Sequence, residues 1–281
     1  SYCFILRYAI RRSPNSYTIL ANAQSIDDFP VQITEQNSPS LSMPHGTKIT
    51  ISDLKGDWNR RKLRNVYRDL ASLNSPFTER TDSFVVKVNS NTNVFEGLPP
   101  IADILKVAMY RAHCVIDGDE VKDFCYQFTP WESLSNIQGR EVRELSEEDK
   151  YLKRRKDNAT SRNRNKIALE DFSLSDYKIG KINLDFFIFE KDTAVFSFMN
   201  MERTLLNSYL RENSGVRVYR DGVRIYNYGE KDSDWLSLDF NRLKRAGDNI
   251  SNNIIIGSAG ISRRDSADLK EKTNREGFIE N

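Results

Sequence analysis

The sequence is poor in the side chains that bind transition metals. It contains three cysteines, Cys3, Cys114 and Cys125, and two histidines, His45 and His113. None of them has the spacing of a metal-ligand motif, which argues against a zinc site. Three scattered cysteines also argue against a disulfide framework, so we predict a reducing, cytoplasmic compartment.

Long apolar runs are missing as well. No stretch approaches the roughly 20 apolar residues that span a bilayer. The opening SYCFILRYAI is apolar, but it is short and lacks the basic start and small-residue cleavage site of a signal peptide. We therefore expect no membrane partner.

What the sequence does have is length and charge of both signs. It has 281 residues, of which 38% are hydrophobic and 29% charged, with a formal net charge of +2. This length fits one large domain or two ordinary ones. A net charge so close to zero does not by itself predict a polyanionic partner.

The first half of the chain contains several clear patterns. Apolar and polar residues alternate in HGTKITISDL, which predicts a half-buried strand. Apolar residues at helical spacing from Leu63 to Leu73 predict a helix that ends before Pro76, with Asp57 or Asn59 as its N-cap. Prolines before a helical apolar face predict a second helix in PPIADILKVAMYRAH, and CVIDGDEV then contains a strand and a turn.

The second half mixes strands and helices without strict alternation. YKIGKINLDFFIFEK and NNIIIGSAGIS are predicted strands, and MERTLLNSYLREN and LDFNRLKRA are predicted helices. GVRVYRDGVRIYNY predicts a hairpin that turns at Asp221 and Gly222. The succession predicts an α+β fold built from mixed-sheet layers.

Residues 138–166 are the least apolar part of the chain, and we predict a solvated helix or a mobile loop there. Residues 150–166 contain eight basic side chains and one acidic side chain, that of Asp157. A nucleic-acid patch is one interpretation. A solvated loop balanced by the preceding acidic residues is favoured, because few aromatic residues are interleaved for base stacking.

Two distant segments carry a family resemblance. The first is HGTKITISDLKGDWNRRKLRNVYRDLASLNSPF, residues 45–77. The second is GVRVYRDGVRIYNYGEKDSDWLSLDF followed by NNIIIGSAGISRRDSADLKEKTNREGFIEN, within residues 215–281. Their order resembles the GHKL ATPases, the superfamily of gyrase, the ninety-kilodalton heat-shock chaperone, histidine kinases and MutL.

The resemblance implies three parts. Residues 1–77 would be the C-terminal part of a Bergerat-type nucleotide-binding domain, residues 78–166 a connecting region, and residues 167–281 a middle or transducer domain. Thr47 would contact the nucleotide beside the adenine, with Gly46 allowing close approach. Arg275 would reach the γ-phosphate of ATP when the domains close, from a helix start that Asn274 caps.

Several family motifs are missing from this sequence. The resemblance calls for a Glu-x-x-x-Asn helix, an Asp-x-Gly-x-Gly turn and a glycine-rich lid, which would hold ATP and Mg²⁺. None is found in the sequence, and in the family all three precede the Gly-Thr strand. We therefore expect that the chain is the C-terminal portion of a longer protein and that it binds ATP weakly by itself.

The leading hypothesis is a chaperone-like GHKL ATPase that couples ATP binding and hydrolysis to closure. A homodimer and a protein client are implied by analogy alone. The alternative is a non-catalytic binding module, such as a MutL-like clamp that binds nucleic acid through residues 150–166.

Overall fold

The computed structural model describes residues 3–8, 33–36, 47–51, 57–77, 97–155, 169–244, 250–272 and 275–279. The chain divides into two compact units, Ser1–Leu63 and Arg64–Asn281. Gly46 and Asn274 lie outside the described residues.

The first unit contains a three-stranded sheet. Its strands are β1 (Cys3–Tyr8), β2 (Ile33–Gln36) and β3 (Thr47–Ile51), in the order β2-β1-β3. β1 pairs antiparallel with β2 and parallel with β3. The strand predicted from the alternation around Ile49 and Ile51 is confirmed as β3.

The second unit is built on a seven-stranded mixed sheet. Its strands, in chain order, are β4 (Tyr110–Asp117), β5 (Glu120–Phe128), β6 (Arg140–Val142), β9 (Ile182–Ile188), β10 (Gly215–Arg220), β11 (Val223–Ile225) and β12 (Ile255–Ile261). They lie in the order β11-β10-β12-β9-β4-β5-β6. Only β10 and β12 run parallel within this sheet. The predicted α+β class with a mixed sheet is therefore confirmed, and the Bergerat-type nucleotide domain stays a prediction.

The sheet takes strands from residues 78–166 and from residues 167–281 alike. β4, β5 and β6 come from the first range, and β9 to β12 from the second. The division of the chain into three functional parts stays a prediction.

Five α-helices are described. They are α1 (Arg60–Ala71), α2 (Ile101–Lys106), α3 (Thr193–Phe196), α4 (Arg203–Asn213) and α5 (Leu238–Lys244). Short 3₁₀ turns occur at Glu132–Leu134, Leu174–Tyr177 and Asn252–Ile254. Among the helices in the described part of the chain, none has the length and apolar character to cross a bilayer.

The predicted N-cap of α1 is confirmed at Asn59. Its side-chain oxygen accepts a hydrogen bond from the backbone N–H of Lys62 at 3.0 Å, three residues on. This bond satisfies one of the amides that the first turn leaves without a partner. Asp57 instead provides a backbone carbonyl for the Lys62 ammonium at 2.8 Å.

The second predicted helix is shorter than its pattern suggested. α2 ends at Lys106, and Tyr110 begins strand β4. Tyr110 pairs with Phe128 on one side and Ile188 on the other. Pairing between two strands outweighs the local helical spacing of this apolar stretch.

The prediction of a solvated helix or loop over residues 138–166 is wrong at two short strands, whereas residues 143–150 between them are irregular and mostly exposed, as a solvated loop would be. Arg140–Val142 form β6, and β7 (Lys153–Arg155) pairs antiparallel with β8 (Leu169–Asp171). Lys150 at the start of the basic stretch forms an ion pair with Glu147. Residues 156–168 lie outside the described residues, so nucleic-acid binding stays a prediction.

The large sheet separates two apolar clusters. On one face, Ile256 of β12 packs with Leu206 and Leu210 of α4 and with Ile104 of α2. We call this the helical face. On the other face, which we call the loop face, a second cluster is formed by Val218, Ile225, Ala259 and Ile261, with Leu269 and Phe278 packed against it.

Replacing Leu210 by alanine tests this assignment of the core. Leu210 is fully buried, so Leu210→Ala should lower the free energy of unfolding by about 2–5 kcal/mol in urea denaturation. Leu243→Ala is the matched control, because Leu243 on α5 is 86% exposed and should change stability by no more than about 0.5 kcal/mol. Equal losses from the two variants would contradict the assignment.

Candidate functional site

The predicted functional arginine lies on a loop that covers the end of the sheet. After β12 the chain forms residues 266–279, here called the C-terminal loop, which is described at 266–272 and 275–279. Glu271 and Phe278 form an isolated antiparallel bridge, and the Lys272 N–H donates to the Gly277 carbonyl at 3.0 Å. The loop therefore folds back on itself.

The backbone of Arg275 is fixed in an uncommon conformation. Its φ is 58°, in the left-handed region. Its N–H donates to the Lys272 carbonyl, and its own carbonyl accepts from Tyr226 just after β11, both at 2.8 Å. Left-handed backbone is incompatible with the first turn of an α-helix. The prediction that Arg275 lies at a helix start is therefore wrong, since a tight turn takes its place.

Among the described residues, three weak contacts hold the Arg275 side chain. Its Nη1 lies 3.3 Å from Glu271 Oε2, its Nε donates to the Arg224 carbonyl at 3.4 Å, and its Nη2 donates to the Val223 carbonyl at 3.4 Å. All three distances are at the long end for hydrogen bonds. The side chain is 39% exposed, so the guanidinium remains accessible from solvent.

A second arginine, Arg220 at the end of β10, holds the loop itself. Its Nη1 donates to the Leu269 carbonyl at 2.6 Å and to Glu271 Oε1 at 3.1 Å, and its Nη2 donates to the Ser266 carbonyl at 3.0 Å. Its side chain is 5% exposed. Arg220 thus fixes Glu271, and Glu271 offers its other carboxylate oxygen to Arg275.

Arg220 is not among the residues predicted from the sequence, although the hairpin contains a signal for it. Val216, Val218 and Arg220 alternate along β10 and therefore share one face. An arginine that continues an apolar row needs hydrogen-bond acceptors, because a buried guanidinium without them is costly. The carbonyls of the C-terminal loop are those acceptors.

Of the other predicted site residues, the structure describes Thr47 alone. Thr47 begins β3 and pairs with Phe4 of β1. Gly46 and Asn274 lie outside the described residues, so the proposed close approach and helix cap stay predictions. Thr47 belongs to the first compact unit and Arg275 to the second, and their joint action on a nucleotide is a hypothesis.

The described residues provide no group of histidine, cysteine and acidic side chains that could hold a metal ion. His113 Nδ1 instead lies 2.8 Å from Asp185 Oδ1 on the neighbouring strand. Burial, with Asp185 and Asp123 nearby, raises the pKa of the Cys114 thiol to about 11. Such a thiol is almost wholly protonated at neutral pH, which makes it a poor nucleophile.

Comparison with protein-family models, with curated proteins and with solved structures gave no match to this chain. The resemblance to GHKL ATPases therefore depends on the order of motifs in residues 45–77 and 215–281 alone. The geometry around Arg275 is an independent observation on one residue of that pattern.

The two arginines of the loop should differ in their effect on stability. Arg220→Ala removes a buried cation and leaves Glu271 and two carbonyls without it, so the free energy of unfolding should fall by about 3–5 kcal/mol. Arg275→Ala removes a partly exposed, long ion pair while Glu271 keeps Arg220, and it should cost about 0–1 kcal/mol. Urea denaturation of both variants measures the difference. A loss from Arg275→Ala as large as that from Arg220→Ala would assign Arg275 a structural role.

Proposed function

We propose that this chain comprises the end of the nucleotide-binding domain and the transducer domain of a GHKL-type ATPase, and that Arg275 contacts the γ-phosphate of ATP on closure. The observation that carries the proposal is the state of the Arg275 side chain. It is a partly exposed guanidinium on a backbone fixed by two hydrogen bonds at 2.8 Å, and its contacts with the described residues are 3.3 Å or longer. The backbone is ordered while the cation is only weakly held.

Release of the Arg275 side chain does not leave Glu271 without a cation. Glu271 keeps its ion pair with Arg220 at 3.1 Å when Arg275 leaves. The Arg224 and Val223 carbonyls lie at the edge strand β11, at the end of the sheet order. A phosphate oxygen, which forms short charge-assisted bonds with a guanidinium, competes well against such contacts.

An arginine of this kind acts by charge. In phosphoryl transfer, negative charge on the γ-phosphate oxygens must be stabilised, and the planar guanidinium fork matches those oxygens. An arginine that arrives only on closure makes hydrolysis depend on that movement. Coupling of ATP hydrolysis to conformational change is the function that we infer.

The residues of this chain do not fit a complete nucleotide site. The sequence lacks the Glu-x-x-x-Asn helix, the Asp-x-Gly-x-Gly turn and the glycine-rich lid that would hold ATP and Mg²⁺. On this proposal those groups come from a longer protein that includes this chain, in a cytoplasmic setting. Thr47 and Gly46 would contribute an edge of the adenine pocket. A homodimer remains part of the proposal by analogy alone.

Arg275→Ala tests the proposed role of the arginine. In the protein that carries the nucleotide motifs together with this chain, the substitution should lower kcat by roughly 10²-fold and leave ATP binding unchanged. The reason is that the lost interaction forms mainly in the transition state. Steady-state hydrolysis and equilibrium binding of ATP measure the two quantities.

Arg264→Ala is the control for that experiment. Arg264 is an exposed arginine in the same part of the chain, so its loss changes net charge equally and should leave kcat within about twofold of wild type. Turnover that is unchanged in Arg275→Ala would remove Arg275 from the mechanism.

Calorimetric titration of the isolated 281-residue chain with Mg-ATP tests the division of the site. Because most of the implied nucleotide contacts are missing, we expect a dissociation constant above about 1 mM, equivalent to less than about 4 kcal/mol of binding free energy. Micromolar binding by this chain would show that it holds a nucleotide site of another kind.

A further inference from the structure

The helical face of the sheet contains two buried arginines. Tyr219 of β10 pairs with Arg224 of β11, and Arg217 lies two residues before Tyr219, so all three side chains share one face. Arg217 is 7% exposed and Arg224 is 3% exposed. Arg220 belongs to the loop face, so this pair is separate from the site around Arg275.

Arg224 has a carboxylate and a hydroxyl as partners for its two Nη atoms. Its Nη2 donates to Glu230 Oε1 at 2.6 Å, and its Nη1 donates to the Ser72 hydroxyl in the turn after α1. Burial and the neighbouring Arg217 guanidinium both lower the pKa of Arg224. The two cations are thus close enough to repel each other.

Arg217 lacks a carboxylate. The buried Nε atoms of Arg217, Arg220 and Arg224 all lack a hydrogen-bond partner. Arg220 and Arg224 each have a carboxylate at their Nη atoms, whereas Arg217 forms no ion pair within the part of the chain that the structure describes. Its polar neighbour is the Tyr219 hydroxyl, whose pKa is raised by burial and lowered by Arg217. A phenol above its ordinary pKa is neutral at pH 7 and cannot balance a cation.

The surrounding charges do not restore the balance. Glu212 already faces two other cations, Arg68 at 3.3 Å and Lys231 at 3.6 Å. Glu230 is bound to Arg224, and burial raises the pKa of Asp69, which forms no ion pair among the described residues. Asp69 interacts with Arg217 at longer range. Of the four cations Arg68, Arg217, Arg224 and Lys231, Arg217 is thus the one without an ion pair among the described residues. A buried charge without a counter-ion is costly.

We propose that Arg217 is a binding site for the carboxylate group of a small molecule. The guanidinium fork matches a planar carboxylate, which can accept two parallel hydrogen bonds. One negative charge balances the one unpaired cation. A phosphate dianion would instead leave a net negative charge beside Glu230 and Asp69. Because Arg217 is 7% exposed, only a small group reaches it. The site is independent of the function proposed for Arg275.

Thermal unfolding of the full 281-residue chain tests this site with acetate as the probe. Sodium acetate and sodium chloride are compared at equal ionic strength and pH 7. A ligand at ten times its dissociation constant should raise the Tm of a chain of this size by about 3 °C. Arg217→Met should lose that response and, in chloride, should melt at or above the wild-type Tm, because it removes a buried cation without a partner.

Arg224→Met is the matched control. It deletes the neighbouring buried arginine but leaves Glu230 and Ser72 without their partner, so its Tm in chloride should fall below wild type. Acetate also stabilises proteins weakly by exclusion from their surface, so the specific effect is the difference between wild type and Arg217→Met. An equal acetate shift in those two proteins overturns the proposal. A fall in Tm of Arg217→Met in chloride as large as that of Arg224→Met also overturns it.

A second measurement needs no variant. The ¹³C line width of labelled acetate should broaden when the wild-type chain is added, and equimolar benzoate, which is too large for a group as buried as Arg217, should leave that broadening unchanged. A sharp acetate line at the highest protein concentration contradicts the site even if Arg217→Met fails to fold.

Discussion

The buried guanidinium of Arg220 is the interaction on which the candidate site depends. It gathers the carbonyls of Ser266 and Leu269 and the carboxylate of Glu271 onto the end of β10. Two further polar contacts hold the first half of the loop: the Gly180 N–H donates to Ser266 Oγ at 3.0 Å, and Lys178 pairs with Asp268 at 3.4 Å. The position of Arg275 follows, because Glu271 presents its second oxygen to it and Tyr226 fixes its backbone.

The β10–β11 hairpin gives the two sheet faces different electrostatic properties. Its turn uses Asp221 and Gly222 at φ 51° and 84°, the left-handed pair that a two-residue hairpin requires. Strand alternation then places Arg220 with the apolar cluster under the loop, and Arg217 with Arg224 under the helices. One hairpin therefore supplies the cation that anchors the loop and a second, poorly paired cation on the opposite face.

Sequence patterns predicted the elements whose signals are local. The N-cap at Asn59, helix α4, the hairpin and the strands β3, β9 and β12 all follow from periodicity and turn chemistry. The pattern over Ile101–His113 predicted too long a helix, since β4 is stabilised by β5 and β9, which lie far away in sequence. β6 and β7 were missed for a related reason, because short, charged edge strands are defined by their partners.

The candidate site was likewise predictable from the sequence only in part. The motif around Arg275 implied a helix start, yet that helix is absent at residues 275–279 in the described structure. A left-handed arginine cannot be read from Asn-Arg-Glu, because that conformation is set by the bonds to Lys272 and Tyr226. Ion pairs such as Arg220–Glu271 join residues 51 positions apart, and no local pattern encodes their pairing.

The most direct test of the account is a structure of the protein that includes the nucleotide motifs, determined with a non-hydrolysable ATP analogue and Mg²⁺. The account predicts that the Arg275 guanidinium has left Glu271 and lies about 2.7–2.9 Å from a γ-phosphate oxygen, while Arg220 still binds Glu271. A closed, nucleotide-bound state in which Arg275 keeps its contacts with Glu271 and the β11 carbonyls would contradict it.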